Sequence, residues 1–109
     1  MSEVVLVLST APDDESTETL ARTLVEEKLA ACVNVFAPMT SVYRWQGTLE
    51  RSVERQLIIK TTRDTLPALQ ARFVELHSYD LPEFIVLDVT SGSTDYLAWI
   101  AREVPSAHQ

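Results

Sequence analysis

The chain has 109 residues and a mass of 12.2 kDa, which predicts one domain around one hydrophobic core. Its net charge of −7 and scattered basic residues exclude a nucleic-acid binder, because such proteins concentrate Lys and Arg to neutralise phosphates. The single cysteine excludes an intramolecular disulfide framework, and the two distant glycines cannot form a phosphate-binding loop. Because neither a targeting leader nor a long apolar run is present, we expect a soluble, cytoplasmic protein without membrane insertion.

The first third of the chain predicts a strand, a helix and a second strand. Residues 4–8 form a short apolar run that is typical of a strand covered on both faces. Pro12 and the acidic residues after it open a helix, in which apolar residues recur at helical spacing as far as Ala31. Residues 33–36 then indicate the second strand.

The middle of the chain predicts a β-hairpin followed by a long strand. Residues 41–45 and 48–50 flank Gln46-Gly47, and glycine supplies the positive φ that a tight hairpin turn needs. Residues 53–61 are the longest strand candidate, with an apolar centre. We therefore expect the hairpin to stand between two strands of the main sheet.

The last part of the chain predicts a helix, a strand and a closing helix. Asp64 is placed to cap the second helix, and Pro67 falls in its first turn, where the missing N–H costs nothing. Residues 84–89 indicate the last strand, and Ser93 or Thr94 caps the final helix.

This order of elements predicts an α+β fold. Two βαβ units of similar size indicate the ferredoxin-like split βαβ sandwich, with an inserted β-hairpin and a C-terminal helix. A flavodoxin-like parallel sheet fits less well, because the hairpin interrupts the alternation of strands and helices. Residues 1–109 should form this single domain, with a flexible tail at about 106–109.

The polar insert at residues 76–83 is the first candidate for a functional site, since loops on a rigid scaffold often carry function. It holds His77, the only histidine outside the tail. His77 is either a metal ligand or a helix-end residue bonded to the last carbonyls, and we favour the second interpretation. Lys60 and Glu83 are charges beside predicted strands, so each should be paired or line a cleft, to which Tyr79 also belongs.

Other side chains favour structural roles. Tyr43 and Trp45 lie on a hairpin that a small domain would struggle to cover, which predicts a subunit interface. Cys32 is typical of a small buried hydrophobe, and the acidic stretch at residues 13–15 caps a helix more plausibly than it binds a hard cation. With one histidine available, nucleophilic catalysis finds no support, so we expect no enzyme activity.

Six collinear motifs resemble those of the CutA divalent-cation tolerance family. They are STAPD at residues 9–13, EKLAAC at 27–32, SVYRWQG at 41–47, KTT at 60–62, HSYDLPE at 77–83 and TDYLAW at 94–99. The resemblance covers nearly the whole chain. It implies a cytoplasmic homotrimer of ferredoxin-like subunits that is linked to tolerance of copper and other divalent ions, and it does not imply an enzyme.

The resemblance also implies where metal donors would lie. Copper-binding members carry a cysteine where this chain has Ser9, and paired histidines where it has Leu76 and His77. A serine hydroxyl is a poor replacement for a thiolate toward soft metals, which leaves His77 as the one remaining donor. We therefore expect no required cofactor and only weak binding of a divalent cation such as Cu or Zn, with Asp80 and Glu83 as further ligands.

Two classes of function remain open. The first is a non-enzymatic homotrimer that binds or buffers divalent metal ions. The second is a trimeric sensor, similar in architecture to the PII proteins, that binds a small anion or metabolite between subunits and signals to an unknown protein partner. The second class rests on analogy of fold.

Overall fold

The computed structural model describes residues 3–105, and the tail predicted at residues 106–109 lies outside this range. The elements are β1 (Val4–Pro12), α1 (Glu15–Glu26), β2 (Cys32–Val35), β3 (Met39–Trp45), β4 (Thr48–Thr62), α2 (Leu66–Leu76), β5 (Ile85–Asp88) and α3 (Thr94–Glu103). A 3-10 turn at Arg63–Thr65 leads into α2.

The strands form one antiparallel sheet in the order β2-β4-β1-β5, and β3 pairs with the first half of β4. In the register of the central strands, Val7 of β1 lies opposite Ile59 on one side and Val86 on the other. Because β4 lies between β1 and β2, the first βαβ unit is split by an antiparallel strand. The predicted ferredoxin-like fold is therefore confirmed, and the parallel alternative is excluded.

The hairpin arm and the long strand, predicted as separate elements, are one strand of fifteen residues. The partners of β4 differ between its two halves. Residues 48–54 pair with β3, and residues 54–62 pair with β1. Strand β4 therefore continues without a break from the hairpin into the main sheet, because every part of it is paired. Gln46 and Gly47 both have positive φ, at 49° and 83°, as the predicted two-residue turn requires.

Helix α1 ends at Glu26, so the prediction that it continues to Ala31 is wrong. Lys28 adopts a left-handed φ of 60°, which stops the helix. The N–H groups of Leu29 and Ala30 both donate to the Leu24 carbonyl instead of continuing the helical pattern, at 3.0 and 3.2 Å. The apolar periodicity continues past the helix because these residues are buried as the chain turns toward β2.

The caps predicted for α1 and α3 are confirmed, whereas the cap predicted for α2 is not. The Asp14 carboxylate accepts from the Ser16 N–H at 2.8 Å and caps α1. Ser93, one of the two predicted candidates, accepts from Tyr96 N–H and caps α3. The prediction for Asp64 is wrong, because Asp64 lies inside the 3-10 turn and Thr65 occupies the cap position of α2.

The main core lies between the sheet and the pair α1 and α2. Its buried members include Val7, Leu20, Leu24, Leu57, Ile59, Leu69 and Phe73. A second cluster, with Val4, Ala31, Ile100 and Val104, lies where α3 packs at one end of the sheet. The two faces of β1 are buried to different extents. Val5 and Val7 on the face toward the helices are fully buried, whereas Leu6 and Leu8 on the opposite face are half-buried.

Leu24 and Val25 offer a matched test of the core. Leu24 is fully buried in the main core, whereas the side chain after it, Val25, is 41% exposed. Leu24→Ala should lower the free energy of unfolding by about 3 kcal/mol, because it leaves a cavity in the core. Val25→Ala should change the same quantity by about 0.5 kcal/mol or less in a denaturant titration. Equal losses in the two variants would contradict this packing of α1.

Candidate functional site

His77 is the C-terminal cap residue of α2, and both nitrogens of its buried ring are hydrogen-bonded. The Tyr79 backbone N–H donates to Nδ1 at 3.0 Å, so Nδ1 carries no hydrogen. Nε2 lies 2.8 Å from the Thr10 carbonyl oxygen, which can only accept, so Nε2 carries the hydrogen and donates it. The contacts therefore select one neutral tautomer and occupy both positions from which an imidazole can bind a metal.

The His77 ring also has aromatic contacts that hold it in place. Its centroid lies 5.1 Å from that of Phe73 and 4.6 Å from that of Tyr79. The acceptor on Thr10 belongs to β1, beyond Leu8, where the pairing of β1 with β5 stops. The His77 imidazole thus donates to a strand edge that β5 leaves open, while the His77 backbone N–H donates to the Phe73 carbonyl in the last turn of α2 at 2.9 Å.

Ser9, at the position where copper-binding relatives are expected to carry a thiol, lies next to His77. Its Oγ donates to the Thr10 carbonyl at 3.3 Å, so the two side chains share one acceptor. Ser9 is fully buried, and Leu76 packs against the main core. Across residues 3–105 no three His, Cys, Asp or Glu side chains gather closely enough to hold a metal ion.

The structure adds a residue that the sequence did not single out, Glu54. It lies in β4 between Pro12 of β1 and Met39 of β3, and its side chain is only 6% exposed. Its Oε1 is buried and accepts no hydrogen bond from any described residue. Glu54 falls within the long strand candidate at residues 53–61, and a charged residue in such a strand was the available signal.

The environment of Tyr79 raises the pKa of its phenol. Burial of the phenol raises the pKa of Tyr79 above its ordinary value of 10.0, and the nearby negative charge of Glu54 raises that pKa further. The phenol consequently resists ionisation in the folded chain. Of the side chains predicted to line a cleft, Tyr79 is the one whose pKa the charge of Glu54 raises.

Glu83 joins the same region through Gln56. The Gln56 amide donates to the Ser9 carbonyl at 2.6 Å and to Glu83 Oε2 at 3.3 Å. Gln56 is two residues from Glu54 and so lies on the same face of β4. We refer to Glu54, Gln56, Tyr79 and Glu83 together as the Glu54 group.

Lys60 lies apart from this group within one chain. At about 3.3 Å per residue, the four residues from Gln56 to Lys60 span about 13 Å of strand. The Lys60 ammonium donates to the Tyr96 hydroxyl at 3.1 Å, and this bond is the main reason that the pKa of Lys60 is raised. The predicted cleft residues thus fall in two places, Tyr79 and Glu83 in one and Lys60 in the other.

Tyr43 and Trp45 lie on the hairpin and are both exposed, at 42% and 41%. Val42, Leu49 and Val53 are also exposed, and the register of the two arms places them on the opposite face of the hairpin. An apolar surface of this kind on a projecting hairpin is typical of a contact with another protein chain. In the part of the chain that the structure describes, no helix is long and apolar enough to cross a membrane.

Comparison with known proteins decides the family. The model of the family described as CutA1 divalent ion tolerance protein matches residues 5–103. The chain belongs to this family. Among curated relatives, the divalent-cation tolerance protein CutA of Thermus thermophilus is 45% identical over 100 residues, which cover 92% of this chain and 95% of that one. The protein of the same description from Citrobacter koseri is 46% identical over 98 residues, covering 90% and 85% of the two chains.

Solved CutA structures have the same fold as this chain. The crystal structure of CutA from Xylella fastidiosa has a TM-score of 0.91 and 45% identity, covering 95% of this chain and all of that one, 100%. The structure of the divalent cation tolerance protein from Thermus thermophilus has a TM-score of 0.90 and 41% identity, covering 94% and 99%. The family resemblance in the six motifs is therefore confirmed over the length of a CutA chain.

The raised pKa of Tyr79 predicts a pH dependence. As the pH rises past 10.0, the unfolded chain loses this proton first, whereas the folded chain retains it. Tyr79 thus contributes stability below that pH, and the contribution is lost as the pH rises through the folded pKa. Phenolate absorbance should show one tyrosine ionising late in the folded protein. Tyr79→Phe should remove this late component, and Tyr96→Phe should retain it; a late component that survives Tyr79→Phe would contradict the placement of Tyr79.

Proposed function

We propose that this CutA chain acts as a cytoplasmic, non-enzymatic homotrimer in the tolerance of divalent cations such as copper, and that it needs no cofactor. The match to the divalent ion tolerance family over residues 5–103 is the observation that supports this most strongly. One structural relative, from Archaeoglobus fulgidus, is described as a periplasmic divalent cation tolerance protein. That description concerns the relative, and this chain's composition supports the cytoplasm.

Exposed apolar surface supports the trimer. Tyr43 and Trp45 project on the hairpin, and the apolar residues of β5, Ile85, Val86 and Leu87, are 36–49% exposed. Strand β5 also pairs on one side only among the described residues, which leaves backbone donors and acceptors along its outer edge. A small domain with such surfaces gains stability when another copy covers them.

The proposed trimer has an expected mass, and truncation of Trp45 is expected to weaken its assembly. Light scattering at micromolar concentration should give 3 × 12.2 kDa = 36.6 kDa. Trp45→Ala should weaken assembly by about 2 kcal/mol or more, since truncating an aromatic anchor at a packed contact has costs of this size. Val74→Ala, which truncates an exposed apolar side chain on α2, is the control and should leave the mass unchanged. A monomer of 12.2 kDa in the wild type would refute the proposal.

The geometry at His77 supports weak metal binding. A metal ion can reach a ring nitrogen only if His77 gives up the bond from Tyr79 or the bond to Thr10. Breaking a buried hydrogen bond of this kind opposes binding by about 1 kcal/mol or more. Ser9 offers a hydroxyl where a soft metal prefers a thiolate. Any remaining ligands would come from Asp80 and Glu83, which discriminate poorly among Cu, Zn and Co.

Calorimetric titration tests the weak binding. Divalent copper should bind with a Kd of roughly 10 μM or higher, which is about −7 kcal/mol or weaker. Ser9→Cys places a thiol beside His77 and should tighten binding at least tenfold, whereas Ser41→Cys on the hairpin should not. EDTA should leave the melting temperature of the wild type unchanged. Nanomolar, copper-selective binding that survives His77→Ala would contradict the assignment of His77.

The sensor of a small ligand remains the second candidate, and the Glu54 group is the observation that favours it. The group offers polar atoms on one face of β4 with one carboxylate oxygen unused by the described residues. Its two carboxylates disfavour a small anion there. A thermal-shift screen against metals and metabolites separates the candidates, because only a sensor responds to a metabolite while remaining silent toward metals.

A further inference from the structure

The Glu54 side chain is buried, and one oxygen of its carboxyl group has no hydrogen-bond partner in the described chain. The side chain is 94% buried, the complement of its 6% exposure, and Oε1 accepts no hydrogen bond from residues 3–105. A buried carboxylate destabilises a protein unless donors or an opposite charge compensate for the lost hydration. Such a group persists where something else supplies that compensation.

The basic and amide groups closest along β4 are already engaged. Arg55 is the next residue, but its side chain points to the opposite face of the strand, where it pairs with Asp13 at 2.9 Å. The Gln56 amide donates to Ser9 and Glu83, and Lys60 donates to Tyr96. None of these donors is directed at Glu54 Oε1, which is left without a hydrogen bond among residues 3–105.

We propose that the Glu54 group binds a cation that carries N–H donors, a primary ammonium or a guanidinium. The carboxylate of Glu54 would balance its charge and accept its hydrogens, and the half-buried Glu83, which is bonded to Gln56 on the same face of β4, would add a second carboxylate. The group contains two carboxylates and no basic side chain, which selects a cation over an anion. A metal ion fits less well, because no three His, Cys, Asp or Glu side chains converge in the described residues.

The cation has two sources with the same chemistry, a small amine or a Lys or Arg side chain of a second copy. Both put N–H donors on a buried carboxylate, and the experiment below distinguishes them. The small-amine source is independent of the proposed role in metal tolerance, because the group lies within one chain. The second-copy source rests on the proposed homotrimer.

The test uses the full chain, with ¹³C-labelled glutamate carboxyl groups observed by NMR. Ethylammonium should shift the Glu54 resonance saturably, whereas tetraethylammonium, which has the same charge and no N–H, should not. Glu54→Gln should abolish the response of the protein to ethylammonium. Glu50→Gln is the matched control, since it makes the same charge change at an exposed position of the same strand and should retain the response. Resonances are assigned by through-bond experiments on the wild type, so the result stands even if Glu54→Gln fails to fold.

The oligomeric state separates the two sources. If a second copy supplies the cation, ethylammonium leaves the Glu54 resonance unshifted, and Glu54→Gln assembles only at a concentration at least tenfold higher than Glu50→Gln requires. If ethylammonium has no effect and the two variants assemble alike, the proposal is overturned. It is equally overturned if tetraethylammonium gives the same shift, or if Zn²⁺ shifts the resonance at lower concentration than ethylammonium does.

Discussion

The fold depends on the backbone hydrogen bonds along the two edges of β4. One edge carries β1, and the other carries β3 as far as Glu54 and then β2 from Leu57 onward. From Leu57 to Lys60 β4 is paired on both edges, as a buried strand requires, whereas residues 48–53 are mostly exposed and pair with β3 on one edge. The alternation of its side chains then sends Leu57 and Ile59 to the helices and presents Glu54 and Gln56 on the other face.

The loop that follows α2 depends on a second, smaller constraint, the open edge of β1. Strand β5 stops pairing at Leu8, and the imidazole of His77 donates to the Thr10 carbonyl beyond that point. The imidazole also accepts from the Tyr79 N–H and contacts the Phe73 ring, and Glu83 farther along the loop accepts from Gln56 of β4. In this CutA chain, His77 therefore holds the loop after α2 against the end of β1.

The sequence predicts the elements of this fold well because their signals are local. The glycine turn at Gly47, the capping residues of α1 and α3, and the alternation of apolar residues each act within a few positions. The end of α1 could not be predicted, because Leu29 and Ala30 keep the helical spacing while being buried for another reason. The length of β4 was missed because it depends on β1 and β3, which are distant in sequence.

Among the site residues, too, local signals were recognised in the sequence and contacts between distant residues were not. His77 was identified because it stands alone among polar residues, but its acceptor on Thr10 lies 67 positions away and leaves no local trace. Glu54 was missed because its burial exists only when β1 and β3 flank it together. Lys60 was recognised as a charge in need of a partner, yet only the packing of α3 shows that Tyr96 is that partner.

The pairing of β1 also bears on how the chain acquires its structure during synthesis. Strand β1 leaves the ribosome before both of its partners, residues 54–62 and residues 85–88, and it does not pair with β2, the next strand along the chain. Until those later segments have emerged, the apolar face of β1 has only α1 to cover it. Contacts of such long sequence separation slow folding, so the nascent chain passes through an interval in which its most apolar strand is open to chaperones and to other chains.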